Sequence, residues 1–231
     1  MADTSVASHP VKVRPVKVRI DFVSDVVCPW CAVGLKSLEQ ALTRLDGQVD
    51  AEIHFQPFEL NPQMPPQGED IVEHLQKKYG STREQIVRNG DAIRARGAAL
   101  GFEFNMDKRD RTWNTFDAHR LLHWAGEQGA ERQRALKHAL LTAYFTRGEN
   151  VSDREVLLRA AAQAGLPLDR AGEVLASDVY AADVRAQEIF YQQNGIQGVP
   201  AVIVNERHLI SGGQPPEVFE AALRQIAGVS G

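Results

Sequence analysis

The segment Cys28-Pro29-Trp30-Cys31 constrains the fold of this chain more than any other, for it holds the only two cysteines in 231 residues. Residues 16–23 (VKVRIDFV) alternate β-branched and aromatic side chains with polar ones and predict a strand. After the motif, Leu35, Leu38, Leu42 and Leu45 recur at helical spacing, and Gly47 falls where a helix would end. The motif is therefore predicted to open a helix. Pro29 suits the first helical position, because its fixed φ matches a helix start and its missing N–H has no partner to lose. That makes Cys28 the expected N-cap, its sulfur facing the free N–H groups of Trp30 and Cys31 and the positive end of the helix dipole. Both favour thiolate, so the Cys28 pKa is expected below the free value of about 8.5. Cys31 lies one turn on, on the same face, so the two sulfurs can bridge, at a spacing slightly wide for a relaxed disulfide. A bridge that forms and is easily reduced suits thiol–disulfide exchange, with Cys28 attacking and Cys31 resolving.

Composition removes other uses for the pair. A chain of 231 residues buries a core without covalent staples, and 43% hydrophobic with 24% charged residues is ordinary for a globular protein. The formal net charge of −4 leaves no cationic excess for nucleic acid. No apolar run reaches the length of a membrane span or a secretory signal, so the expected location is the cytoplasm, where a structural disulfide is poorly supported. A zinc site needs two further soft or imidazole ligands, and no second CxxC exists. Among His9, His54, His74, His119, His123, His138 and His208, only His119 and His123 stand four apart on a predicted helix, a spacing unlike the usual finger. No metal is expected.

The rest of the chain reads as β-α-β, a helical block, then β-β-α. Residues 51–58 (AEIHFQPF) predict a second strand, parallel to the first through a right-handed crossover. The breaker-rich NPQMPPQGED (61–70) is a linker. Helical character then holds to about Asn194. Capping boxes are expected at Ser81-Thr82-Arg83-Glu84 and Ser152-Asp153-Arg154-Glu155, further N-caps at Asn114 and Asp169, and stops at Gly101, Gly165 and Gly195. Strands return at 201–204 and 207–211 around an Asn205-Glu206 turn, and Pro215-Pro216 opens a last helix. The fold class is α/β, a mixed sheet with a large all-α insertion. Gly198-Val199-Pro200 precedes the third strand. A proline there is tolerated at a strand start; a cis bond, the minority isomer, would instead turn the Val199 N–H and C=O toward an extended substrate.

Taken together, CPWC after a first strand, the helical insertion, and GVPAVIVN before a terminal hairpin and helix resemble the DsbA-like thioredoxin-fold family, and within it a cytosolic FrnE-type branch. SDVVCPWCAVG, NTFDAHRLLHWA, AYFTRGENVSD and SGGQPPEVFEAAL carry the likeness over residues 17–225. The resemblance implies a thioredoxin-like domain over 16–226, its core formed by 16–61 and 195–228. The helical subdomain is then 66–194 and the N-terminal extension 1–15. It implies Cys28 as nucleophile, Cys31 as resolver, and Val199 with cis-Pro200 as the substrate-binding arm. It implies no cofactor beyond a redox-active disulfide, with glutathione as a candidate co-substrate. The expected partners are disulfide-bearing proteins or small thiols and a separate reductant or oxidant, since no other thiol is available for a relay.

Two departures shape the expectations. DsbA carries a histidine at the third motif position; Trp30 offers no charge, so a weaker oxidant is expected, between about −120 and −270 mV. DsbA also has an acid on the strand before the motif. Asp21 matches it with one residue extra between; if buried, with a raised pKa, it would take the Cys31 proton as general base, and otherwise it is a solvated strand-end carboxylate. Asp25 reads as a turn or helix-entry residue whose charge opposes the Cys28 thiolate if close. Trp30 is expected to stand exposed as an apolar landing surface. Phe58, Trp113, Phe116, Trp124 and His119 could line a cleft, but helical spacing favours core. Two other functions fit the fold: a glutathione-dependent transferase or isomerase, whose kappa-class and hydroxychromene-carboxylate-isomerase examples typically lack the resolving cysteine, and a non-catalytic client-binding module.

Overall fold

Residues that alternate in the first strand sort onto two faces, and that sorting builds the domain. In the computed structural model, which describes residues 14–229, β1 (Val16–Ser24) runs parallel to β2 (Val49–Pro57), with Ile20 opposite Ile53 and Phe22 opposite Phe55. Ile20 and Phe22 are fully buried, and Phe22 reaches under α1 (Pro29–Arg44). β5 (Ala201–Val204) lies antiparallel on the other side of β1, and β6 (His208–Ser211) forms the edge, giving the order β2-β1-β5-β6. Asn205 and Glu206 both take positive φ (50° and 57°), the pair of left-handed residues that a tight hairpin needs to match strand twist. α9 (Pro216–Ala227) closes the core, and Arg44 of α1 pairs with Glu217 and Glu220 on it. The result is a thioredoxin-like fold split by a helical insertion. Apart from its last two residues, the expected N-terminal extension lies outside the described residues.

The insertion holds α2 (Ile71–Tyr79), α3 (Arg83–Ala99), α4 (Phe116–Glu127), α5 (Ala130–Phe145), α6 (Arg154–Gln163), α7 (Leu168–Leu175) and α8 (Ala181–Gln193). The linker 61–70 ends in a short strand, β3 (Glu69–Asp70), paired with β4 (Arg111–Thr112), which helical patterning did not predict. The expected caps shift by one or two residues. Thr82, not Ser81, caps α3: its hydroxyl accepts from Gln85 N, and the Gln85 side chain returns to Thr82 N. Asp153 caps α6 because its carboxylate reaches both Glu155 N and Val156 N, whereas Ser152 bonds Asn150. Asn114 accepts from Phe116 N one residue ahead of the N-cap Thr115, and Asp169 falls inside the first turn of α7, after Pro167. Gly101, Gly165 and Gly195 take the expected left-handed conformation behind α3, α6 and α8. Among the described residues no helix is long and apolar enough to cross a membrane.

One charge cluster clamps the insertion to the core. Glu39 of α1 accepts from Arg134 Nε (2.7 Å) and meets His138 Nε2 (2.6 Å), both on α5, and Lys36 Nζ at 3.2 Å. Burial pushes the Glu39 carboxyl up, but His138 and Arg134 outweigh it and hold the pKa at about 2. A folded-state value below the ordinary 4.5 means stability present above pH 4.5 and lost as pH falls toward 2. Glu39→Gln is therefore expected to cost up to about 3 kcal/mol at pH 6. In denaturant titrations the gap between the two proteins should close as the pH is lowered from 4.5 to 2. A gap of the same size at both ends would assign the loss to packing instead.

Candidate active site

Both cysteines are free thiols at the start of α1, Cys28 nearly and Cys31 wholly buried. Cys28 is the N-cap, extended at φ −90° and ψ 114°, with Pro29 following as the first helical residue. Its carbonyl accepts from Cys31 N (3.1 Å) and Ala32 N (3.4 Å) in the first turn of the helix. The Cys28 pKa is lowered from its ordinary value. A hydrogen bond from the Cys31 thiol contributes most; burial opposes it, the Cys31 and Trp30 N–H groups help, and the Asp25 charge works against it. Cys31 is pushed well above its ordinary value, by burial first and then by that same bond and the Cys28 charge, while Lys137 draws it down. The helix start thus holds one thiol ready to ionise and one that keeps its proton.

Across from them stands the loop before β5. The Val199–Pro200 bond is cis, and the Cys28 thiol points at Val199 O at 3.7 Å. Close backbone packing joins this loop to α1. A Cβ on Gly34 would lie 3.1 Å from Pro200 Cγ and 3.4 Å from Gly213 Cα; one on Gly213 would lie 2.9 Å from Trp30 O. Pro200 O accepts from Gly212 N (2.8 Å), so the Gly-Gly pair after β6 completes the frame. Trp30 is 41% exposed beside the thiols, and Arg96 of α3 lies over its ring while donating to Gly213 O.

The structure does not bring Asp21 to the cysteines. Strand alternation turns it to the face of β1 opposite Phe22, where its carboxylate accepts from Arg19 and Gln56. The acid behind the thiols is Asp25, fully buried where the chain bends out of β1. Its Oδ2 accepts from Leu60 N (2.8 Å), and Oδ1 lies 3.4 Å from His119 Nε2. Burial pushes this carboxyl up, but His119, Leu60 N–H and Lys137 outweigh it, so the net shift is downward. Lys137 on α5 is 1% exposed; among the described residues its Nζ has no hydrogen-bond acceptor, and it stands 5.8 Å from the Phe55 ring centre. Burial lowers its pKa against the pull of Cys31, Asp25 and Cys28. Lys137 escaped the sequence reading, although it left a trace: Gln133, Lys137, Leu140 and Tyr144 share one helix face, so a lysine sits on a buried stripe.

A cavity of about 520 Å³ opens from Cys28, Trp30 and Val199 toward α2 and α3, with His74, Lys78 and Arg109 on its far walls. None of Phe58, Trp113, Phe116 or Trp124 lines it. Phe58 and Trp124 are buried, Trp113 packs on Gly68, and Phe116 carries the Arg185 guanidinium. His119 faces Asp25, and His123 meets Gln187 and the Tyr180 ring. Among the described residues no three His, Cys, Asp or Glu side chains gather as a metal requires.

Known proteins are similar to this chain in sequence and fold. The family described as the DSBA-like thioredoxin domain matches residues 19–224. A probable DsbA oxidoreductase from Streptomyces coelicolor superposes with a TM-score of 0.84 at 37% identity, covering 93% of this chain and 92% of that one. The cytosolic disulfide reductase DsbM from Pseudomonas aeruginosa, solved with GSH, shares the fold: TM-score 0.62 at 17% identity, over 91% of this chain and all of that one. YwbO of Bacillus subtilis, an uncharacterized protein, is 27% identical over 208 residues, 89% of this chain and 96% of its own length.

Proposed function

Because the chain belongs to the DSBA-like thioredoxin domain family, we propose that it is a thiol–disulfide oxidoreductase or isomerase working through Cys28 and Cys31. The observation that carries this reading is the split between the two thiols at one helix start: Cys28 held low, Cys31 held high, with Val199 O facing the first of them. In the reductive direction the Cys28 thiolate attacks one sulfur of a substrate disulfide, forming a mixed disulfide and releasing the other sulfur as a thiolate. Cys31 gives its proton to the buried set behind it, where Asp25 takes the place expected of Asp21. The Cys31 thiolate then attacks Cys28 Sγ, the Cys28–Cys31 bond forms, and the second substrate sulfur leaves. Two electrons pass from the cysteine pair to the substrate. A separate thiol of the compartment, glutathione being the candidate, returns them. The Val199 carbonyl, released by Cys28 on ionisation, is free to pair with the substrate backbone.

Trp30 brings no charge to the motif, so the potential is expected between those of the strongly oxidising and the strongly reducing members of this chemistry, about −120 to −270 mV. A reducing compartment, the cytosol, suits that range. The test is insulin reduction driven by dithiothreitol, with the potential of the pair read from tryptophan fluorescence in glutathione buffers. Catalysed turnover and a potential inside the range are expected. No acceleration over the uncatalysed rate would overturn the reading.

A further inference from the structure

Apart from the Cys28 thiol, basic side chains line the cavity and, among the described residues, no acidic ones do. His74, Lys78 and Arg109 border it. Two of these three already have partners. His74 Nδ1 meets Glu69 Oε2 at 2.6 Å, and Lys78 Nζ donates to Leu60 O (2.7 Å) and Asn61 Oδ1 (2.6 Å). Arg109 differs. Among the described residues no carboxylate pairs with it, and its Nε is buried with no acceptor. Its guanidinium lies over the Tyr144 and Phe145 rings, 5.8 and 5.7 Å from their centres, which hold it in place from behind. Of the two acids next to it in sequence, Asp107 approaches Arg94 instead, and among the described residues Asp110 forms no ion pair with it.

A guanidinium stays charged at any working pH and offers a planar fork of N–H donors that matches a carboxylate. A buried N–H without an acceptor is rare in a folded protein, and the guanidinium that carries this one belongs to a residue lining the cavity. The cavity volume suits a small molecule, not a folded domain. We propose that Arg109 is the anion-recognising residue of this cavity and selects low-molecular-weight disulfides bearing a carboxylate, held with a sulfur at Cys28. The assignment rests on Cys28 being the nucleophile. Attack forms the Cys28–substrate disulfide and releases the other half as a thiolate; Arg109 binds the carboxylate throughout and exchanges neither electrons nor protons.

The test compares three small disulfides of similar size offered to the reduced full-length chain: dithiodipropionate (dianion), bis(hydroxyethyl) disulfide (neutral) and cystamine (dication). Each rate is divided by that of free dithiothreitol with the same compound, which removes intrinsic reactivity. The expected order is dianion, neutral, dication, with the first favoured over the second by about tenfold to a hundredfold. Arg109→Gln should bring that ratio near one, and Arg109→Lys should keep part of it. Added salt should narrow the wild-type ratio, a readout that needs no variant. Equal rates for dianion and neutral compound would overturn the proposal and leave the exchange activity standing. A preference that survives in Arg109→Gln would overturn the assignment to this residue. Failure to exchange any of the three would instead strike the reading of Cys28 on which the proposal rests.

Discussion

Replacing Cys28 by serine is expected to return disulfide exchange to its uncatalysed rate, a loss on the order of a thousandfold or more. A serine hydroxyl at the N-cap receives the same N–H groups and dipole but does not ionise near neutral pH, so the attacking anion is gone. Replacing Cys31 by serine has a different signature. Cys28 still attacks, but nothing resolves the product, and a one-to-one mixed disulfide should accumulate and be visible by mass spectrometry under non-reducing conditions. In Cys31→Ala, which has no donor at this position, the Cys28 thiolate also loses the thiol that donates to it, the largest of its stabilising influences, so its alkylation should titrate at higher pH than in the parent. Full activity in both serine variants would mean that the pair is not the site.

Lys137→Met is expected to slow the second half of the reaction while sparing the fold. The groups that act on the two thiols come from four places: Asp25 from the bend after β1, His119 from α4 through Asp25, Lys137 from α5, and Lys78 with Tyr79 from α2. Of these, Lys137 is the cation that draws the Cys31 thiol down. Without it the Cys31 thiolate is harder to form. Release of the mixed disulfide should slow about tenfold at neutral pH, because the Cys31 thiolate loses a nearby cation. The pH at which release is half-maximal should rise. Methionine fills the stem volume and removes an ammonium that has no acceptor, so unfolding free energy should stay within about 1 kcal/mol of the parent. Asp25→Asn is the opposing control, since the Asp25 charge pushes Cys28 up and its removal should lower the pH of Cys28 alkylation. Unchanged release rates and an unmoved pH profile in Lys137→Met would reduce the lysine to a space-filling role.

What the sequence showed and what it hid divide along the range of the interactions. The N-cap at Cys28, the hairpin at Asn205-Glu206 and the helix stops at Gly101, Gly165 and Gly195 depend on residues within a few positions of one another, and these were legible. Strand alternation alone puts Asp21 on the face opposite Phe22, and Phe22 is the residue that reaches α1. Asp25 was read as a turn residue, and the chain does bend there, but the bend carries its carboxylate inward against His119. His119 and Lys137 belong to helices of the insertion, so nothing local to the motif could place them behind it. The cis Val199–Pro200 bond was implied by family resemblance, while the bare tripeptide favoured the other isomer.

The sheet order also bears on how this protein is made. Cys28 and the carbonyl that covers it are 171 residues apart in the chain. At roughly 5–20 residues per second, translation leaves an interval on the order of ten to thirty seconds between them. Throughout that interval β1 has one side unpaired, and the nascent chain carries its reactive sulfur without the arm that later shields it. The newborn polypeptide thus carries its thiol uncovered, and the loop before β5, made later, supplies the cover.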